Sequence, residues 1–202
     1  MRYQCASFWG ELMNKTKNLI FLSAVKVFSS NGYDGATMDE IAMNAGVAKG
    51  TLYYHFKSKE EIFKYIISEG MKVMQDEIDT VASNEDTAID RLKSVFRSQL
   101  SLVHRNRDFF KVIACQLWGK ELRQFELRDI MKNYINCIEV LIDDAMKSKN
   151  IKSGKSMLMA YSFVCNLCAS SIYEISNCDE NMDDIVESML DYILNGVAYK
   201  ES

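Results

Sequence analysis

Apolar positions recur at helical spacing along most of the chain. Thr37 followed by Glu40 is a capping-box signature and predicts a helix starting at Met38. Ile41, Ala42 and Ala45 give that helix a narrow apolar stripe, and Gly46 can take the left-handed conformation that ends it. Val47 is apolar inside the turn and is expected to plug the corner. A second short helix then buries Leu52 and Phe56, one turn apart. Ser58 with Glu61 is another capping box, opening a long helix whose Phe63, Ile66, Ile67, Gly70, Met71, Met74 and Ile78 share one side. A polar break at 81–86 separates it from a helix carrying Ile89, Leu92, Val95, Phe96, Leu100 and Val103. Asn106 is expected to cap the next, with Phe109, Phe110, Ile113, Leu117 and Trp118. A charged connection at 119–126 leads to a long helix with Ile130, Tyr134, Ile135, Ile138, Leu141, Ile142 and Ala145, and Gly154 breaks the pattern.

The last two helices differ in kind. Residues 157–173 carry no charge, and a helix apolar all round is buried all round. Met182, Ile185, Val186, Met189, Leu190, Ile193, Leu194 and Val197 fit the helical template along 182–197. One chain of this size cannot cover both helices, so a homodimer through 157–173 and 182–197 is expected. Ala169, Ser170 and Ser171 are small enough for close helix approach. The reading is all-α, about nine helices and no strand.

The chemistry is concentrated in 37–56. Around the buried Leu52 and Phe56, the second short helix displays Lys49, Gly50, Thr51, Tyr53, Tyr54 and His55. A cation, hydroxyl donors and a residue with no side chain suit close approach to phosphates and base edges in a DNA major groove. The stretch from about Lys15 to Gly70 resembles the DNA-binding domain of the TetR family of bacterial transcriptional repressors. The resemblance rests on Ile20, Ala24, Val27 and Phe28 ahead of Asn31-Gly32-Tyr33-Asp34-Gly35-Ala36-Thr37, and on Leu52-Tyr53-Tyr54-His55-Phe56-Lys57-Ser58-Lys59-Glu60-Glu61. It implies that the first of these segments is the family's first helix and its Gly-Tyr turn. It also implies that Lys49, Gly50 and Thr51 face bases or adjoining phosphates. Tyr53, Tyr54, His55 and Lys59 would clamp phosphates, and the helix start at Thr37 would hold one more. Beyond residue 80 the resemblance is only architectural.

That architecture implies a DNA-binding domain at 13–60 and an effector-binding and dimerisation domain at 61–202. The expected partners are double-stranded operator DNA, a second copy of the chain and a small apolar or amphipathic effector. Candidate effector contacts are Phe96, Phe110, Trp118, Met131, Tyr134, Tyr161 and Asn166, because pockets in helical bundles are apolar with a few polar groups. The twelve methionines fit an adaptable pocket or a loosely specified core equally well.

Composition narrows the alternatives. The 202 residues are 48% hydrophobic and include no proline, which suits an all-helical protein. The net charge is −4, but unevenly distributed: six lysines and four acids leave +2 on 13–60, residues 1–12 balance, and the remainder carries −6. A basic head on an acidic body is compatible with DNA binding at one end. Residues 1–12 lack an apolar run, so a cytoplasmic protein without a signal or membrane partner is expected. Trp9-Gly10-Glu11 implies a purine-rich coding run just before the Met13 codon, so translation is expected to start there, with a disordered or groove-entering arm as the alternative. Two histidines, and no phosphate loop or nucleophile elbow, argue against an enzyme, and no cofactor or metal is called for. Cys165-Asn-Leu-Cys168 lacks a second pair, so packed thiols are expected. A cysteine redox sensor and a regulator controlled by a protein partner remain the alternatives.

Overall fold

The structure is a computed structural model that describes residues 15–118, 120–176 and 181–196. The arm at 1–12, the suggested start at Met13, and Gly119, Cys178 and Val197 lie outside the described residues. Among the described residues there are nine helices and no strand. They are α1 (Lys15–Gly35), α2 (Met38–Ala45), α3 (Lys49–His55), α4 (Lys59–Ala82), α5 (Ala88–Arg105), α6 (Arg107–Gln116), α7 (Leu122–Lys147), α8 (Ser156–Ser176) and α9 (Met182–Asn195).

Three helix starts differ in detail from the sequence expectation. Asn106 occupies the N-cap of α6, but its side chain makes no cap bond; its carbonyl accepts from the Phe109 and Phe110 amides instead. At the start of α4 the Glu61 amide donates to Ser58 Oγ, as a capping box requires. The Glu61 carboxylate, however, accepts from the Lys57 amide at 2.7 Å rather than from that of Ser58. Helix α7 begins inside the stretch expected to be a connection. The Glu121 carbonyl accepts from the Gln124 and Phe125 amides, and Gln124 Oε1 accepts from the Glu121 amide. Apolar spacing could not reveal this turn because Leu122 and Phe125 face solvent.

The chain packs as two units. The first contains the residues up to Val73 together with Arg105–Met131; the second contains Met74–His104 and the chain from Lys132 onward. The helix-turn-helix segment lies wholly within the first unit. Segment 105–131 joins it because α6 packs on α1. Asp108 accepts a hydrogen bond from Ser29 Oγ at 3.0 Å, and the Phe109 ring stacks at 6.5 Å on Phe21 and presses on Gly70. Ile20, Phe21, Ala24, Ile41, Leu52, Ile62 and Ile66 complete this core, each at most 1% exposed. Burying each large side chain of this kind contributes about 1.5–3 kcal/mol.

In the second unit Val95, Phe96, Tyr134, Ile138, Phe163 and Leu167 are buried, with Phe96 edge-on to Phe163. A polar chain runs through this core: the Tyr134 hydroxyl donates to Gln99 Oε1 at 2.9 Å, and Gln99 Nε2 donates to the Met74 carbonyl at 3.2 Å. Each of these groups has a partner, which a polar group in such a core requires. Helix α8 is not covered all round. Ala160, Phe163, Leu167 and Ser170 are buried, while Leu158, Tyr161, Cys165, Ala169 and Ile172 are exposed.

Candidate nucleic-acid interface

Helices α2 and α3 form the expected pair. Both halves of the Thr37 cap are present: the Glu40 amide donates to Thr37 Oγ1 at 3.2 Å, and the Thr37 amide donates to Glu40 Oε2 at 3.0 Å. Gly46 sits at φ +67°, where side chains are disfavoured, and the Gly46 and Val47 amides close onto the Met43 and Ala42 carbonyls. Val47 in the corner is only half-buried. Ser23 Oγ donates to the Ile41 carbonyl at 2.7 Å, fastening α2 to α1.

Leu52 and Phe56 anchor α3, and both are buried. Their spacing turns the other faces outward, because residues one turn apart share a face. Lys49, Gly50, Tyr53 and Tyr54 are exposed, Tyr54 at 78%, while Thr51 and His55 are half-buried. The Tyr54 and His55 rings meet edge to face at 5.2 Å. A Cβ added to Gly50 would meet nothing within 4 Å. Lys49 Nζ pairs with Asp39 Oδ2 at 2.6 Å, both largely in solvent, where such a pair contributes little. The arrangement presents a cation, hydroxyls and a bare backbone position on one rigid surface.

Lys59 is tied to the turn that precedes α2. Its ammonium donates to the Asp34 and Ala36 carbonyls at 3.2 and 3.0 Å and lies 4.6 Å from the centre of the Tyr33 ring. It fastens the turn that enters the helix-turn-helix. Lys57 likewise donates to the Tyr53 carbonyl, in the last turn of α3. Sequence reasoning missed Asp39, Lys57 and Tyr33, whose partners are separated along the chain or are backbone atoms. Burial, with Glu60 beside the hydroxyl, raises the Tyr33 phenol pKa. The Glu60 carboxyl is held below its usual range, first by its own backbone amide and then by Tyr33 and Ser58.

The seven candidate effector contacts fall in both units. Phe110 and Met131 belong to the first and are half-buried; Trp118 is also there, 85% exposed in the turn after α6. Phe96 and Tyr134 lie together with Gln99 in the interior of the second unit, where burial raises the Tyr134 phenol pKa. Tyr161 is on the uncovered face of α8, and the Asn166 amide nitrogen donates to the Ser162 carbonyl of its own helix. Of the seven, Phe96 and Tyr134 are the deeply buried members.

This geometry defines a helix-turn-helix DNA-binding protein. Residues 20–66 match the family model for bacterial regulatory proteins of the tetR family. The chain is 43% identical to a candidate fatty acid metabolism regulator of Clostridium perfringens, with a TM-score of 0.85 over 90% of this chain and all of that one. It is 27% identical over 182 residues to the fatty acid metabolism regulator protein of Bacillus subtilis strain 168, covering 88% of this chain and 93% of the relative. The fold also matches that of the Bacillus subtilis regulator FadR in complex with stearoyl-CoA, at 24% identity and a TM-score of 0.78, over 89% of this chain and 98% of that one. The chain belongs to the TetR family of bacterial transcriptional regulators. Among the described residues no helix is long and apolar enough to cross a membrane.

Proposed function

We propose that the protein represses genes of fatty acid metabolism and is released from its operator by a long-chain acyl-CoA. The observation that carries this is the outward face of α3 over its Leu52 and Phe56 anchors. It occurs in a chain 43% identical, over the full length of the relative, to a candidate fatty acid metabolism regulator. Lys49, Gly50 and Thr51 would face bases or adjoining phosphates, with Tyr53, Tyr54, His55 and Lys59 on flanking phosphates and the helix start at Thr37 on one more. The anionic, amphipathic thioester is suggested by the stearoyl-CoA bound to the Bacillus subtilis FadR.

Two copies would bind an inverted repeat whose half-sites lie about one helical turn or somewhat more apart. The dimer reading is supported by Leu158, Cys165 and Ile172, which repeat every seven residues on the uncovered face of α8, with Tyr161 and Ala169 between. Charge-free apolar surface of this kind is rare on soluble monomers. Tyr192 on α9, 53% exposed, extends the same character. Effector binding would change the spacing of the two recognition helices, forfeiting one half-site. Such coupling typically amounts to ~1–3 kcal/mol, or roughly 5- to 150-fold in affinity.

The cysteine alternative is less supported: Cys137 is half-buried, and burial raises its thiol pKa, which disfavours the reactive thiolate there. The test is a mobility-shift titration on a duplex that the protein has selected from random sequence. Stearoyl-CoA should release the protein, and free coenzyme A should not. Release by oxidant alone would favour the cysteine reading, and indifference to both would favour a protein partner. Ala169→Arg should yield monomers that no longer hold the duplex.

A further inference from the structure

The turn that enters the helix-turn-helix is gripped from the far end of the first unit by Arg123, in the first turn of α7. The Arg123 guanidinium carbon lies 4.0 Å from the centre of the Tyr33 ring. One terminal nitrogen pairs with Asp34 Oδ1 at 3.5 Å, the other pairs with Glu121, and Nε donates to Gln116 Oε1 at 3.1 Å. The Arg123 side chain is only 12% exposed, whereas that of Asp34 is 87% exposed. The cation over the Tyr33 ring therefore matters more than the solvated ion pair.

Tyr33 is well placed to receive such a grip. It is 4% exposed, stacks at 5.5 Å on Phe28 and meets Phe63 edge-on at 5.2 Å. It follows Gly32, whose φ of +71° interrupts α1, and four residues later the chain reaches the Thr37 cap. Its ring is thus held by α1, by α4 and by the start of α7 at the point where the chain turns into the DNA-contacting helices.

We propose that Arg123 is a positioning residue for operator binding: by lying over the Tyr33 ring, it ties segment 105–131 to the helix-turn-helix and holds α3 in its binding orientation. The inference rests on reading α3 as the DNA-contacting helix. The guanidinium matters because an ammonium at the same place could keep the charge over the ring but not the fork of three partners.

The test uses the full chain and a duplex selected from random sequence by the wild-type protein. Arg123→Ala should lose about tenfold in affinity for that duplex, as contacting residues in one network commonly couple at this level. Arg123→Lys should recover only part of the loss. The salt dependence should not change, since no phosphate contact is removed. In a Tyr33→Leu background, Arg123→Ala should have little further effect. Leu122→Ala, at the neighbouring position and 76% exposed, is the control and should bind as wild type. Far-UV circular dichroism and sedimentation check that the variants fold and associate as wild type does. Unchanged affinity of a folded Arg123→Ala, or losses from Arg123→Ala and Tyr33→Leu that simply add, would overturn the inference alone. Failure of the wild-type protein to select any duplex would overturn both this inference and the reading of α3.

Discussion

Gly50→Ala separates a role in binding DNA from a role in folding. Gly50 is the second residue of α3, is exposed, and a Cβ built there touches nothing within 4 Å. Its backbone is helical, so alanine can take its place without strain. Alanine in a helix interior is favoured over glycine by ~0.8–1 kcal/mol. Near the end of a seven-residue helix the gain is at or below that figure. For a chain of this size, 1 kcal/mol corresponds to roughly 2–4 °C in Tm. The free protein should therefore melt unchanged or a few degrees higher. If Gly50 is bare because the backbone of α3 lies against the DNA, the same methyl group meets a base or a phosphate. Displacing one good base contact costs ~1–3 kcal/mol, or roughly 5- to 150-fold in affinity. Melting by circular dichroism and binding by fluorescence anisotropy on one preparation measure both quantities. A variant that binds its operator within about twofold of wild type would refute the close approach. A lower Tm would refute the open space around Gly50.

Gly70→Ala should do the opposite, lowering stability by roughly 1–2 kcal/mol. Its Cβ would fall 2.1 Å from Phe109 Cζ, and the cost of overpacking outweighs the helix-propensity gain; a rise in Tm would contradict this. Asp39→Asn frees Lys49 and removes a carboxylate beside the recognition helix, so it should tighten binding to random duplexes and steepen the salt dependence, both read by anisotropy at several salt concentrations. Lys59→Ala should lower Tm, because its ammonium holds two carbonyls, and should flatten the salt slope by about one unit, because neutral carbonyls leave its charge for a phosphate; an unchanged slope would remove the phosphate clamp. The Glu60 carboxyl pKa is depressed in the folded state, so its contribution is present above the unfolded glutamate pKa and disappears as pH falls through the lower folded value. Glu60→Gln should therefore flatten the acid limb of the Tm–pH profile while leaving the sign of the remaining slope unchanged.

What the sequence determined by itself was whatever depends on near neighbours. The Thr37–Glu40 box and the Gly46 stop are interactions within one turn of helix, and both appear as expected. The anchors Leu52 and Phe56 follow from helical period alone, and with them the outward placement of Lys49, Gly50, Tyr53 and Tyr54. The covered and uncovered faces of α8 required the fold, because a charge-free helix presents no polar side by which to orient it. The start of α7 was hidden for the complementary reason: its apolar residues face solvent, and backbone and Gln124 hydrogen bonds begin the helix. Tertiary structure also decided that 105–131 belongs with the DNA-binding unit. That depends on Phe109 meeting Gly70 and on Arg123 meeting Tyr33, pairs 39 and 90 residues apart. Lys59 is the clearest case. Its sequence position suggests a phosphate, and only the fold adds that two carbonyls and an aromatic face hold it. A long, flexible cation takes the partners that its surroundings supply, and no local pattern specifies which those will be.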